Sequence, residues 1–261
     1  MKTTTKTTSP RPCGEGAAER VTDRATERVT ERVTERVTTR RSFVAGGVAG
    51  GGLLAASGFV GRAEAVLKSG FGGEEVMLSA GDRDFLLESA DIPRAGNPGG
   101  GVVLAEFSDF RCPYCRSAAA DVRSVLERDS DLLVVFPNFP LLGRESVKLA
   151  LLALAAHRQG LYEEWHFAAM TWPGRLRASK ADEIAERLGL DLARMEADAD
   201  REELREALRA NQRFAERFEI KGIPTFLAFA RRREEVPARL LRGGRSDDEL
   251  AEIFRLLREA A

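Results

Sequence analysis

Residues 106–117, EFSDFRCPYCRS, decide how the rest of the chain is read. Cys112 and Cys115 are separated by Pro113 and Tyr114. A glycine-bounded apolar run, GVVLAEFSDF, precedes them and an alanine-rich run, CPYCRSAAADVRSVLERD, follows. The first reads as a buried strand, β-branched and apolar, and the second as a helix. Pro113 fits one residue inside the helix start, where its missing N–H costs nothing. A Cys pair at such a junction can hold a metal, staple a fold or pass electrons.

The chain has three cysteines and two histidines in 261 residues. So few cysteines exclude a disulfide-framework protein. Cys13 lies in an unusual N-terminal segment, which leaves the 112–115 pair isolated. Structural zinc needs four ligands. Only His157 and His166 remain to help, on different predicted helices, His157 at a helix end and His166 packed in an amphipathic helix. A copper-delivery role with Cu(I) on the thiol pair stays open, although no Met-rich or His-rich stretch supports it. A disulfide closing so short a loop constrains the unfolded chain little, which weakens the staple reading. The net charge of −1, with 31% charged residues interspersed, argues against a nucleic-acid partner and reads as a solvated surface.

Residues 1–65 read as an address. The stretch 20–38, RVTDRATERVTERVTERVT, repeats with a period of four. As a helix it would stack Glu27, Glu31 and Glu35 as like charges, and Val and Thr are mediocre helix formers. It is read as a low-complexity extension. Arg40 and Arg41 then precede a Gly- and Ala-rich apolar stretch, Phe43–Val60, and the small residues AEA at 63–65. This pattern resembles a twin-arginine export signal, with the mature chain expected to begin near Val66. An uncleaved membrane anchor is the alternative, at the lower length limit for a span. A periplasmic or other extracytoplasmic location is expected, where a close Cys pair can persist as a disulfide.

Residues 66–100 read as a leader and linker, with DRDFLLESADIP a turn or two of helix and RAGNPGGG a flexible connection. Residues 101–142 supply strand, helix and a second strand in DLLVVFPNFP, halted by Pro137 and Pro140. Residues 143–218 are helical in pattern throughout, with Ser179 as an expected N-cap. Residues 219–261 return to strand in GIPTFLAFA, a partner strand in ARLLRG and a last helix capped by Ser246. The order fits an α/β fold with an inserted α-helical domain. A doubly wound fold would need strands within 143–218. Phe136, Phe139, Tyr162, Trp165, Phe167 and Trp172 are read as core of the inserted helices rather than as a peptide groove.

Three stretches, VVLAEFSDFRCPYCR, FPNFPLLGRESVKLALLALAAHRQGLYEEWHFA and GIPTF, resemble the DsbA-like thiol–disulfide oxidoreductases of the thioredoxin superfamily, over roughly residues 92–258. The likeness is to the exported branch with an inserted helical domain. It implies a thioredoxin-like fold, no metal, and no cofactor beyond a redox-active Cys112–Cys115 disulfide. Cys112, at the helix N-terminus where free N–H groups and the dipole favour an anion, is the expected nucleophile. Cys115, one turn inside, resolves the mixed disulfide. By resemblance Glu106 sits buried beneath the second Cys and moves its proton, and a carboxyl in an apolar strand suits that task. By the same resemblance the Ile223–Pro224 bond is cis and sets the Ile223 backbone against the pair. Pro113, Tyr114 and Thr225 complete the expected substrate contacts. Asp109 is assigned no chemistry. Tyr114 stands where strongly oxidising members carry His, which leaves the redox poise open. The expected function is disulfide exchange with cysteine-containing exported proteins, net oxidation leading, and recycling by a membrane redox partner. A reductase or isomerase of the same fold, or a Cu(I)-binding metallochaperone, is the alternative. Residues 66–100 look too short for a dimerisation domain, so a monomer is expected.

Overall fold

The computed structural model describes residues 72–260. The 20–38 repeat, the twin-arginine-like signal, the expected start near Val66 and Cys13 lie outside the described residues. Six strands, β1 (Glu74–Val76), β2 (Arg94–Gly96), β3 (Val102–Phe107), β4 (Leu132–Val135), β5 (Thr225–Ala230) and β6 (Ala238–Arg242), form one sheet. Its order is β1-β6-β5-β3-β4-β2. β3 and β4 are parallel because a helix, α2 (Pro113–Arg128), crosses between them, and the other pairings are antiparallel.

Among the described residues α1 (Ala80–Glu88) precedes β2, and five helices stand between β4 and β5. These are α3 (Arg144–Arg158), α4 (Tyr162–Met170), α5 (Ala178–Arg187), α6 (Leu192–Ala199) and α7 (Glu202–Arg217), and α8 (Asp247–Glu259) closes the chain. This is the expected α/β fold with a helical insertion. β3 is buried at every position, so both its faces meet apolar neighbours. Alternation sends Val102 and Leu104 to the face packed by α2, α8 and the inserted helices. Val103, Ala105 and Phe107 face α1 and the end of α7, where Phe107 and Phe85 stack on Phe214. Truncating a fully buried side chain such as Leu104 to Ala costs roughly 2–5 kcal/mol.

The stretch 66–100 differs from its reading as leader and linker. β1 pairs with β6 and β2 with β4, so this stretch supplies both edges of the sheet. Strands of three residues are too short to show a period, so the sequence carries no signal for them. Nor is RAGNPGGG a flexible connection. Gly96 has φ +83, and a Cβ there would stand 2.6 Å from the Leu132 carbonyl oxygen. Gly101 N donates to Asp131 Oδ1 at 2.8 Å. These glycines permit close approach, not slack.

Ser179 is not a cap. α5 begins at Ala178, whose N–H donates to Glu145 Oε1 of α3 at 2.7 Å, so the cap arrives from another helix. Ser246 caps α8 as expected, its hydroxyl accepting from Glu249 N. Arg116, next to Cys115, donates from Nε to Met170 O at 2.9 Å and through its other nitrogens to Trp172 O and Gly174 O. One guanidinium thereby ties the Cys-bearing helix to the end of α4.

Candidate active site

Cys112 is the N-cap of α2, with extended backbone, and Pro113 opens the helix. The turn before it is locked by Asp109. Its carboxylate accepts from Arg111 N at 2.8 Å, Leu141 N at 2.9 Å and Leu142 N at 3.0 Å, and its carbonyl accepts from Cys112 N at 3.0 Å. A buried carboxylate spent on three backbone N–H groups is scaffolding, which agrees with leaving Asp109 without chemistry.

The two cysteines are free thiols in unlike surroundings. Cys112 is 5% exposed, and its Sγ donates to Ile223 O at 3.8 Å. Cys115, on the inner side of the first turn, is fully buried. Burial pushes the Cys115 thiol far up from its ordinary value. The Asp109 backbone amide opposes this, while Cys112 and the charge of Glu106 add to it. Pro113 is exposed and Tyr114 is 76% exposed, so the residues between the cysteines face outward.

The Ile223–Pro224 bond is cis, Ile223 is half-buried and Pro224 buried. A groove of about 380 Å³ runs beside them, lined by Gly222, Ile223, Pro224, Thr225 and Arg242 among others. Thr225 is buried, and its hydroxyl donates to Gly222 O at 2.8 Å. Its side chain holds the turn into β5 closed instead of reaching outward.

Glu106 lies on β3 opposite Phe226 of β5, on the same face as Val102 and Leu104. It is fully buried, and neither carboxyl oxygen has a hydrogen-bond partner within the protein. Burial pushes its carboxyl up to about 7, and the Ser108 side chain, without a bond of ordinary geometry, draws it back only in part. An acid that titrates near neutrality can hold and release a proton at working pH.

The sequence did not point to what faces this acid. His166 Nε2 of α4 stands 4.0 Å from Glu106 Oε2. The separation is at ion-pair range, yet burial draws the imidazole down to about 3 while it raises the carboxyl. Below the carboxyl midpoint the contact is therefore between two neutral groups, and at no pH between the two midpoints is it an ion pair. Phe110, Phe136 and Phe167 ring the imidazole at centroid distances of 5.5, 4.5 and 5.1 Å. Tyr162, one turn earlier on α4, donates to Asn138 Oδ1 at 3.1 Å and lies 3.4 Å from His166 Nδ1. The i, i+4 spacing of Tyr162 and His166 is visible in the sequence, but nothing in it says that their side of α4 meets β3. His157 is elsewhere, its Nε2 at 2.9 Å from Ala90 O. Among the described residues no group of three or more His, Cys, Asp or Glu is placed to hold a metal ion. Nor is any described helix long and apolar enough to cross a membrane.

Comparison with known proteins agrees with this geometry. A thioredoxin-like oxidoreductase from Silicibacter pomeroyi DSS-3 superposes with a TM-score of 0.62 at 32% identity, covering 69% of this chain and 99% of that one. The Na(+)/H(+) antiporter NhaA 1 of Salinispora arenicola is 33% identical over 177 residues, which are 66% of this chain and 26% of the antiporter. The probable disulfide bond formation protein D of Bacillus anthracis is 25% identical over 138 residues, 48% of this chain and 63% of that protein. The chain thus spans about a quarter of the length of the antiporter it matches. Residues 103–253 match the DSBA-like thioredoxin domain, and this span holds both cysteines, Glu106, His166 and Pro224. With the fold of thiol–disulfide oxidoreductases and Cys112 and Cys115 placed as its CxxC pair, the chain belongs to the DSBA-like thioredoxin domain family.

Proposed function

We propose that this chain is a thiol–disulfide oxidoreductase that oxidises cysteines of exported proteins through a Cys112–Cys115 disulfide. The observation that carries the reading is the unlike placing of the two sulfurs, both of them buried. Cys112 lies at the helix start beside the Ile223–Pro224 groove, and Cys115 is sealed within reach of the charge of Glu106.

The chemistry follows from that asymmetry. A substrate thiolate attacks Cys112 Sγ, the Cys112–Cys115 bond breaks, and its electron pair goes to Cys115. Burial disfavours a thiolate there, so the sulfur takes a proton as it leaves, and protonated Glu106 supplies it. A second substrate thiolate then attacks the substrate sulfur of the mixed disulfide and expels Cys112 as a thiolate. The free N–H groups at the start of α2 favour that anion. The substrate leaves with one disulfide, and the protein keeps two electrons and one proton on its pair. No cofactor beyond the disulfide is required.

Ile223 and Pro224 hold the substrate chain beside Cys112, and the exposed Pro113 and Tyr114 are free to meet it. A membrane redox partner reoxidises the pair, and the protein works as a monomer outside the cytoplasm, consistent with the export-like pattern of residues 40–65. Ion transport is not carried over from the antiporter relatives, since this chain matches only a quarter or so of one.

The test is the reduction potential of the Cys112–Cys115 pair in the purified chain, equilibrated in glutathione buffers. A value near about −120 mV supports the oxidase, and one near about −270 mV replaces it with a reductase. A pair that does not titrate reversibly ends the exchange reading, and Cu(I) titration of the dithiol becomes the next measurement.

A further inference from the structure

Glu106 is met from the helical side by a chain of polar groups whose hydrogen-bond directions can be worked out one at a time. Asn138 Nδ2 donates to Phe136 O at 3.2 Å, so its Oδ1 is turned toward Tyr162 and accepts the phenol proton at 3.1 Å. Asn211 Nδ2 donates to Asn138 O at 3.1 Å and holds that residue in place. The Tyr162 oxygen has then given away its one proton. Toward His166 Nδ1, 3.4 Å away, it can only accept. Nδ1 therefore carries the imidazole proton, and Nε2 is a bare lone pair.

That lone pair faces Glu106 Oε2 at 4.0 Å, and neither atom has another partner in the protein. The gap exceeds a hydrogen bond by about 1 Å, so the two atoms act on each other through charge and lone-pair direction and not through a formed bond. The titratable groups around the carboxyl are Cys115 from α2 and Tyr162 and His166 from α4, with the Ser108 hydroxyl beyond the end of its own strand. No Lys or Arg is among them. A carboxylate facing a bare imidazole nitrogen is repelled, and a neutral carboxylic acid is not.

We propose that His166 is a positioning residue for disulfide exchange, its tautomer locked by Tyr162 and Asn138 so that Nε2 holds Glu106 in the acid form. The inference rests on the reading of Glu106 as the proton donor to Cys115. The inserted helices thereby act on the redox pair through polarity, without touching substrate. When Glu106 gives its proton to the departing Cys115 sulfur, the carboxylate is left facing the Nε2 lone pair, and it regains the acid form by taking the proton back from Cys115 as the pair is reoxidised. The site is thus biased to recharge before the next cycle.

The experiment is NMR on the full chain with ¹⁵N-labelled histidine and ¹³C-labelled glutamate side chains. With two histidines in the chain, assignment is direct. The buried ring is expected as the Nδ1–H tautomer. In Tyr162→Phe, Nδ1–H loses its acceptor, the ring turns over to Nε2–H, and donation to the carboxylate lowers the Glu106 midpoint by about one pH unit. Asn138→Leu leaves the phenol only Nδ1 to donate to and drives the same change, which covers the case in which Tyr162→Phe does not fold. A wild-type Nε2–H tautomer overturns the proposal, as does a Glu106 midpoint indifferent to both variants. Neither readout depends on exchange rate. Failure of the underlying reading shows separately, as Glu106→Gln exchanging disulfides at the wild-type rate.

Discussion

Two carboxylates stand three residues apart in EFSDF, and both are buried, yet they occupy opposite chemical situations. Asp109, in the turn before Cys112, is 1% exposed and accepts three backbone N–H bonds. Glu106, on the floor strand, is equally buried and accepts none from the protein. The first spends its charge on holding the Cys112 turn against residues 141–142. The second accepts no such bond, and burial pushes its carboxyl up to about 7 with a neutral imidazole opposite. Burial alone therefore does not mark a catalytic acid. A carboxyl with both oxygens held by backbone N–H groups reads as structure, and the one left without partners near a buried sulfur is the one we propose for proton transfer.

The contrast can be broken most directly at Asp109. Asp109→Ala leaves three partly buried N–H groups without that acceptor, and stability is expected to fall by about 3 kcal/mol, read from urea unfolding. Protein that remains folded should still exchange disulfides; loss of exchange at unchanged stability would erase the distinction. Glu106→Gln should do the reverse, slowing exchange at pH 7 by about 100-fold while leaving the fold intact. Stopped-flow reduction of the pair by a dithiol measures it.

The smallest effect is the pH dependence of stability. With the Glu106 carboxyl raised from 4.5 to about 7, the folded state keeps a proton that the unfolded chain releases. Its contribution to stability therefore falls as pH rises through that window, by about 1.4 kcal/mol per pH unit. His166, lowered from 6.5 to about 3, refuses a proton that the unfolded chain accepts, so its contribution falls as pH drops below 6.5. Between pH 4.5 and 6.5 the two slopes oppose each other and nearly cancel. Glu106→Gln removes one of them, and stability should then climb with pH across the window. Urea unfolding at pH 4.5, 5.5 and 6.5 decides, and an unchanged profile would mean that the two groups do not titrate as their burial implies.

Much of this site was legible because its signals are local. A β-branched run, Pro one residue inside a helix and two cysteines one helical turn apart are patterns of neighbours, and they place Cys112 and Cys115 correctly at the start of α2. Ser246 caps α8 because cap and capped amide are three residues apart. Where the partner is distant, the reading failed. Ser179 has the residue type of a cap, but Glu145 of α3 reaches Ala178 N first. The edge strands β1 and β2 are made by pairing with β6 and β4, not by any pattern of their own.

The sequence by itself determined the chemistry available, a CPYC pair between strand and helix, an acid on that strand and an Ile-Pro before another strand, because spacing dictates which side chains share a turn or a face. Only the tertiary structure decided how that chemistry is poised. It strips Glu106 of partners, engages both oxygens of Asp109 and brings His166 of the inserted helices to the carboxyl. Protonation depends on desolvation and on groups facing one another across elements, and these are set by packing between segments far apart in the chain.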